Sequence, residues 1–279
     1  MTPVPADGTI GNVTRQPNPP TAPAPSPADV RSCDEWPPGR VLVLAATYCE
    51  AENVPALAAA VLAVSPDLQL LIVDDDSPDG TGGIALDEAK RNPRLHVLVR
   101  RGRRGLGSAI VEGFRVARRH GFEIAVNMDA DFSHDPADIP RLLAAIEPAG
   151  GRPMDVAIGS RRVPGGGVVG WPISRHVASR LVCGFTRLVL RVPVRDASSG
   201  FRAVRLSTFE RIDGEFFRGY AFFEHLVWRI HRAGGRMIEV PITFTERVRG
   251  ESKVNLAEAA RGIADLMRLA AATWLRRAV

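Results

Sequence analysis

Between Ile124 and Asp135 an apolar run ends in Asp129-Ala130-Asp131-Phe132-Ser133-His134-Asp135. Side chains alternate faces along an extended backbone. The spacing therefore predicts that Asp129 and Asp131 leave the end of a strand on one side. Two carboxylates so placed repel each other unless a cation sits between them. A hard divalent ion with oxygen ligands relieves the repulsion, and Mg²⁺ commonly shares such carboxylates with phosphate groups. The pattern alone is short, and a polar loop with two solvated aspartates has the same sequence. What the rest of the chain sets beside the pair decides between the two.

The elements that must position the pair follow an alternating rhythm. Continuous apolar runs over Arg40–Thr47, Leu68–Val73, Leu95–Val99, Ile124–Met128 and Val156–Gly159 read as strands covered on both faces. Helical patterns separate them over Val54–Val64, Gly82–Arg91, Gly105–His120 and Ile139–Ile146, with Asn53 a candidate cap for the first. The alternation predicts βαβ units and a mostly parallel sheet. Beyond Arg161 the rhythm breaks. Gly165–Gly167 reads as a flexible loop, Trp171–Arg191 as a long basic helix, Arg195–Arg202 as a polar loop and Phe222–Ala233 as a helix. Met237–Thr245 reads as a strand that Pro241 assigns to an edge. From Asn255 onward the pattern is helical, with Leu256, Ala260, Ile263, Met267, Ala270 and Trp274 on one face.

Parallel sheets bind ligands at the carboxyl ends of their strands. This sequence places Thr47-Tyr48-Cys49-Glu50-Ala51-Glu52-Asn53, Asp74–Gly80 and Asp129-Ala130-Asp131 there. Three polar, acid-rich loops on one edge favour a ligand site over independent wet loops. Acidic loops need a metal and cations to hold phosphate. Candidates are Arg161 directly after a strand, Arg247, Arg249 and Lys253 in a glycine-containing loop, and Arg100–Arg104, which reads equally well as a solvated face.

The 279 residues carry a formal charge of +5, and 45% are hydrophobic, enough for a sizeable core. That balance suits anionic small molecules or membrane surfaces. Two tyrosines and no interleaved basic–aromatic tract argue against nucleic acid. The cysteines Cys33, Cys49 and Cys183 form neither a disulfide framework nor a zinc spacing, which predicts a reducing, cytoplasmic setting. No apolar run approaches the roughly 18–20 residues that span a bilayer, and no signal peptide is expected. Residues 1–38 hold about ten of the 22 prolines and few large apolar groups, so a disordered tail is expected there.

Together, Thr47-Tyr48-Cys49-Glu50-Ala51-Glu52-Asn53-Val54, Val73-Asp74-Asp75-Asp76-Ser77-Pro78-Asp79-Gly80, Gly105-Leu106-Gly107-Ser108-Ala109, Met128–Pro136 and Gly159-Ser160-Arg161 resemble an inverting family 2 glycosyltransferase. Gly166–Trp171, Asp196–Arg202, Gly219–Phe222 and Glu239–Lys253 narrow the resemblance to dolichol-phosphate (polyprenol-phosphate) mannose synthases. The resemblance runs from about Arg40 to Val254. It implies an α/β, A-type, Rossmann-like nucleotide-sugar transferase fold over residues 39–254, followed by an amphipathic helix over 255–279. It further implies mannosyl transfer from GDP-mannose to a polyprenyl or dolichyl phosphate, with Mg²⁺ or Mn²⁺ as cofactor. By position, Ala46, Tyr48, Glu50, Val73 and Asp75 resemble the nucleotide-contacting residues. Asp129, Ala130 and Asp131 resemble the metal–diphosphate motif, with Ser133 a third candidate ligand. Arg247 and Lys253 would meet the diphosphate, and Arg161 and Arg202 the acceptor phosphate. The sequence departs from the family where Ala46 replaces Pro, Cys49 replaces Asn, Ser133 replaces Gln, and Phe223-Glu224-His225 replaces a Gln-containing segment.

A phosphate acceptor arrives already anionic, so no general base is expected. A lipid acceptor requires membrane access. The terminal helix, with Trp274 and Arg276-Arg277, is expected to lie on a membrane surface, to pack on the domain, or to meet a separate membrane subunit. The whole would then be a peripheral enzyme on the cytoplasmic face. Two other readings keep the fold: a UDP-glucose or other nucleotide-sugar donor, and a non-catalytic subunit.

Overall fold

The computed structural model describes residues 36–246 and 256–275. The strands β1 (Val41–Thr47), β2 (Leu68–Asp74), β3 (Leu95–Val99), β4 (Ile124–Asp129) and β5 (Val156–Ser160) form where the apolar runs predict them. The helices α1 (Val54–Val64), α2 (Thr81–Ala89), α3 (Leu106–Arg119) and α4 (Ile139–Ile146) separate them. Every residue of β2 is buried, as a strand covered on both faces requires. The described residues form a seven-stranded sheet in the order β3-β2-β1-β4-β7-β5-β8. One core lies between the sheet and α3 with the later helices, around Leu44, Phe114, Phe209 and Phe222. The other lies under α1 and α4, around Val43, Leu57, Ile72 and Leu142.

One strand breaks the parallel pattern. β7 (Arg202–Arg205) lies antiparallel between β4 and β5. The sequence pattern predicts only a polar loop ending at Arg202, because Ala203 and Val204 are the only apolar residues of this strand. Among the described residues β8 (Met237–Pro241) pairs with β5 alone and lies at the sheet edge, the position Pro241 predicts. The glycine loop is shorter than expected. β6 (Gly167–Val169) pairs with β9 (Thr243–Thr245) in a separate two-stranded ribbon.

The second half is helical. α5 (Ile173–Leu188) starts after Pro172, two residues later than expected, and ends before Arg191, whose φ is 60°. α6 (Leu206–Ile212) was not expected from the sequence, and α7 (Phe222–Arg232) was. Asn53 does not cap α1. It is in the helical region with no capping bond, and its Nδ2 donates to Glu50 Oε2 instead (2.8 Å).

The final helix α8 (Leu256–Leu275) corrects the expected face. Leu266, Leu269, Ala270 and Ala272 are buried against the domain, and Trp228 Nε1 donates to Thr273 Oγ1 (2.8 Å). Ile263, Met267 and Trp274, expected on the same face as Ala270, are instead 63%, 57% and 57% exposed. The helix carries two apolar strips, and the domain covers one of them.

Candidate active site

The carboxyl ends of β1, β2 and β4 meet by register. Ala46 lies level with Val73 on one side and Asp129 on the other. The loops that follow are laced together. Cys49 N–H donates to Ser77 Oγ (3.0 Å), Glu50 N–H to Thr81 Oγ1 (2.9 Å) and Ala51 N–H to Asp79 Oδ2 (3.1 Å). Cys49 has φ 57°, a left-handed conformation that asparagine adopts more readily than cysteine. Asp74 is buried and inward, accepting from Thr47 Oγ1 (3.0 Å) and Ser77 N–H (3.0 Å). Of the three consecutive aspartates, this one serves the loop.

Asp75 forms the floor beside Tyr48. Its Oδ2 accepts from Gly105 N–H (2.8 Å), and its Oδ1 lies 3.0 Å from Arg100 Nε without hydrogen-bond alignment. Burial pushes its carboxyl up to about 6, with Arg100 and the Gly105 N–H pulling the other way. Arg100 is 1% exposed between Asp75 and Glu112, so the solvated-face reading fails for it. Arg104 fits that reading only in part. It is exposed, and its guanidinium lies 4.4 Å over the Tyr48 ring. Glu50 is buried, with Asn53 on one of its oxygens.

β4 stops at Asp129, and Ala130–Ser133 is a turn in which Phe132 has φ 61°. Strand alternation therefore does not extend to Asp131. Asp131 is held by the turn itself, its Oδ1 accepting from Ser133 N–H (3.1 Å). Asp129 and Asp131 supply hard oxygen donors, and Ser133 Oγ is buried with no partner among the described residues. Among the described residues no group of three His, Cys, Asp or Glu side chains makes a ready-made metal cage. That donor set fits a Mg²⁺ or Mn²⁺ ion shared with a diphosphate better than one enclosed by protein alone.

A cavity of about 560 Å³ opens beside Asp129. Its lining includes Asp129, Arg161, Arg175, Ser198 and Gly200, with Ala178 and Val182 of α5 and Gly262, Ile263 and Leu266 of α8. Arg161 is pinned there. Its Nε and Nη2 donate to both oxygens of Asp196 (2.8 and 2.7 Å), and Nη2 also reaches Ser198 Oγ (2.8 Å). Burial works against the Arg161 charge, and the Asp196 carboxylate more than offsets it, raising its pKa. Arg175 was missed in the sequence because it looks like any cation of a basic helix. It pairs with Glu246, lies 4.3 Å over Trp171 and lines the same cavity.

Arg202 is not in this wall. It is 1% exposed, and its guanidinium donates to the carbonyls of Ser199 (2.7 Å), Phe223 (2.7 Å) and Ala197. The acceptor-phosphate role implied by resemblance is corrected: these bonds brace the loop before β7. Burial pulls its pKa down to about 10 and pushes neighbouring Glu224 up to about 7. His225 is buried outside the cavity lining and pushed by burial down to about 3. Arg247, Arg249 and Lys253 lie outside the described residues, as do Arg276 and Arg277.

The model for the family "Glycosyl transferase family 2" matches residues 42–213. An undecaprenyl-phosphate mannosyltransferase of Micrococcus luteus is 41% identical over 238 residues, covering 84% of this chain and 96% of the relative. A polyprenol monophosphomannose synthase of Mycolicibacterium smegmatis is 43% identical over 245 residues, covering 86% and 89%. A dolichol-phosphate mannosyltransferase of Pyrococcus furiosus is 35% identical over 219 residues, covering 77% of this chain and 59% of the relative. Among solved structures, glucosyl-3-phosphoglycerate synthase of Mycobacterium tuberculosis in complex with Mn²⁺, UDP-glucose and phosphoglyceric acid superposes with a TM-score of 0.62. It shares 17% identity and covers 84% of this chain and 79% of its own. That likeness concerns the fold.

Proposed function

Since the chain belongs to glycosyl transferase family 2, we propose that it is a polyprenyl-phosphate mannosyltransferase using GDP-mannose. The observation that carries this reading is the cavity, whose lining combines Asp129 and two arginines with apolar residues of α5 and α8. A phosphate head on a hydrocarbon tail has that polarity.

Tyr48, Asp75 and Glu50, with the backbone at Ala46 and Val73, would hold the nucleoside. Asp129, Ala130 and Asp131 would face the diphosphate, and Ser133 Oγ offers one further donor. Arg247 and Lys253 are proposed to meet the same charge. A Mg²⁺ or Mn²⁺ ion held by Asp129 and Asp131 would neutralise the leaving diphosphate. Arg161, fixed by Asp196, and Arg175 would orient the acceptor phosphate, Arg161 through a planar fork.

An acceptor phosphate oxygen attacks the anomeric carbon from the face opposite GDP. The new C–O bond forms as the bond to the β-phosphate oxygen breaks, and GDP leaves with the electron pair. The configuration inverts. The nucleophile brings its own charge, so no side chain has to accept a proton.

The lipid must be reached from a bilayer. Among the described residues no helix is long and apolar enough to cross one. Ile173, Val177, Leu181 and Leu188 of α5 are exposed, as are Ile263, Met267 and Trp274 of α8, and Arg180 and Arg187 stand beside them. These strips lie on the two helices that line the cavity and suit peripheral contact with an anionic membrane, on the cytoplasmic face, or with a membrane subunit. In this reading residues 39–254 form the catalytic unit and the terminal helix its membrane-side wall. The test is radiolabelled transfer to a short polyprenyl phosphate from GDP-mannose and from UDP-glucose. Transfer from GDP-mannose alone is expected, and transfer only from UDP-glucose would overturn the donor assignment.

A further inference from the structure

His134 is 1% exposed, two residues beyond the turn at Phe132. Its Nδ1 accepts the backbone N–H of Asp129 (3.1 Å) and lies 3.6 Å from Asp129 Oδ2. Because Nδ1 accepts, it carries a lone pair, and the ring proton of the neutral imidazole is on Nε2. Phe201 stacks on the ring (centroids 5.1 Å apart) and Phe244 meets it edge-on (5.3 Å), so the ring is fixed in orientation.

The sheet explains why such an acceptor is needed. The antiparallel ladder between β4 and β7 stops at Asn127 opposite Arg202. Continued by two residues, it would set Gly200 opposite Asp129. Instead the Gly200 carbonyl is taken by Asn127 Nδ2 (2.6 Å), and His134 takes the Asp129 N–H. A buried N–H without an acceptor would cost about 1–3 kcal/mol. The broken ladder leaves Asp129 and Gly200 together on the cavity wall. A Cβ on Gly200 would lie 2.9 Å from Asp129 Oδ1. The Asp129 carboxylate thus occupies a notch with the imidazole near one oxygen and a bare Cα near the other.

We propose that His134 is a positioning residue, an acceptor that replaces the missing strand partner of Asp129 and so fixes where its carboxylate meets the metal and diphosphate. This rests on the proposed function of Asp129. Residues that orient a metal-bound carboxylate typically change metal affinity by about 10–100-fold.

The experiment compares wild type with His134→Asn, His134→Leu and Gly200→Ala. Asparagine keeps an oxygen near the place of Nδ1, leucine removes it, and the alanine crowds Oδ1 while leaving His134 intact. Bound Mn²⁺ is titrated by electron paramagnetic resonance with GDP present. GDP affinity without metal and thermal melting are measured beside it. His134→Leu and Gly200→Ala are expected to weaken Mn²⁺ binding at least tenfold, with metal-free GDP affinity within twofold, and His134→Asn to restore most of the loss. Wild-type Mn²⁺ affinity in a folded His134→Leu overturns the proposal, as does a folded His134→Asn no better than the leucine variant. Should wild type bind GDP equally with and without Mn²⁺, the metal role of Asp129 falls, and the proposal with it.

Discussion

Arg161 donates through its backbone N–H, Nε and Nη2 to the single carboxylate of Asp196, which is 0% exposed. Asp196 is itself held, its N–H donating to Glu239 Oε1 (2.9 Å) on the edge strand β8. Three segments, β5, the loop before β7 and β8, therefore converge on one guanidinium. The fork leaves its face packed near Trp171 and Phe244 and its edge on the cavity.

Removing one partner of a buried pair strands the other charge. Asp196→Ala is expected to destabilise the protein by about 3–5 kcal/mol. Asp196→Asn keeps one acceptor and should cost less, yet it loosens the fork. Its turnover with a polyprenyl phosphate should fall by an order of magnitude or more, with GDP affinity unchanged. Urea melts and GDP titration together check this. An Asp196→Asn enzyme with wild-type turnover would mean that Arg161 does not need its anchor.

Asp131→Ala should abolish metal-dependent transfer while leaving the fold intact, since its Oδ1 accepts from Ser133 N–H within the same turn. Circular dichroism and transfer assays at saturating Mn²⁺ check both halves. Wild-type turnover in this variant would remove the metal–diphosphate assignment.

The strands were legible because those buried on both faces are written as unbroken apolar runs, and β1, β2 and β4 carried Ala46, Val73 and Asp129 into register with them. β7 was not legible, because Arg202 and Arg205 bracket its two apolar residues. A charged side chain does not say in sequence whether it faces a ligand or the backbone. Arg202 binds three carbonyls, Arg100 plugs the floor under Asp75, and Arg175, hidden in a basic helix, is the one that reaches the cavity. The buried face of α8 is hidden in the sequence for a related reason: two apolar strips on one helix give no sign of which the domain covers.

With Asp75 in the proposed nucleotide site, nucleotide binding should depend on pH. Its folded-state pKa of about 6 lies above the ordinary 3.8, chiefly through burial. Over that interval the folded protein holds the proton longer than the unfolded chain, so stability from this group falls as pH rises toward 6. Only the ionised carboxylate accepts two donors from a base. GDP affinity should therefore rise with pH through about 6, and Asp75→Asn should flatten the profile. Calorimetric titrations between pH 5 and 8 check the slope.

Arg175→Ala should raise the acceptor KM by about 10–100-fold, since a hydrogen bond to a charged group contributes about 1.5–3 kcal/mol. GDP affinity should not change. Arg202→Met should do the reverse, lowering stability by leaving three buried carbonyls unpaired. Initial-rate kinetics against acceptor concentration and a thermal melt separate the two arginines.

Membrane contact is best tested without deleting α8, because Glu258, Ala259, Gly262, Ile263 and Leu266 form one wall of the cavity and deletion would remove the acceptor site as well. Leu181 and Ile173 are 69% and 81% exposed, so replacing either disturbs little internal packing. Burying one such side chain in the bilayer interface contributes about 1.5–3 kcal/mol. Leu181→Asp and Ile173→Asp should therefore each weaken flotation with anionic liposomes by about tenfold or more. Turnover with a water-soluble, short-chain acceptor should stay near wild type. High salt should weaken binding in the wild type too, because Arg180 and Arg187 act on the lipid charge across screened distances. Unchanged flotation in both variants would transfer the membrane contact to another surface or to a separate subunit.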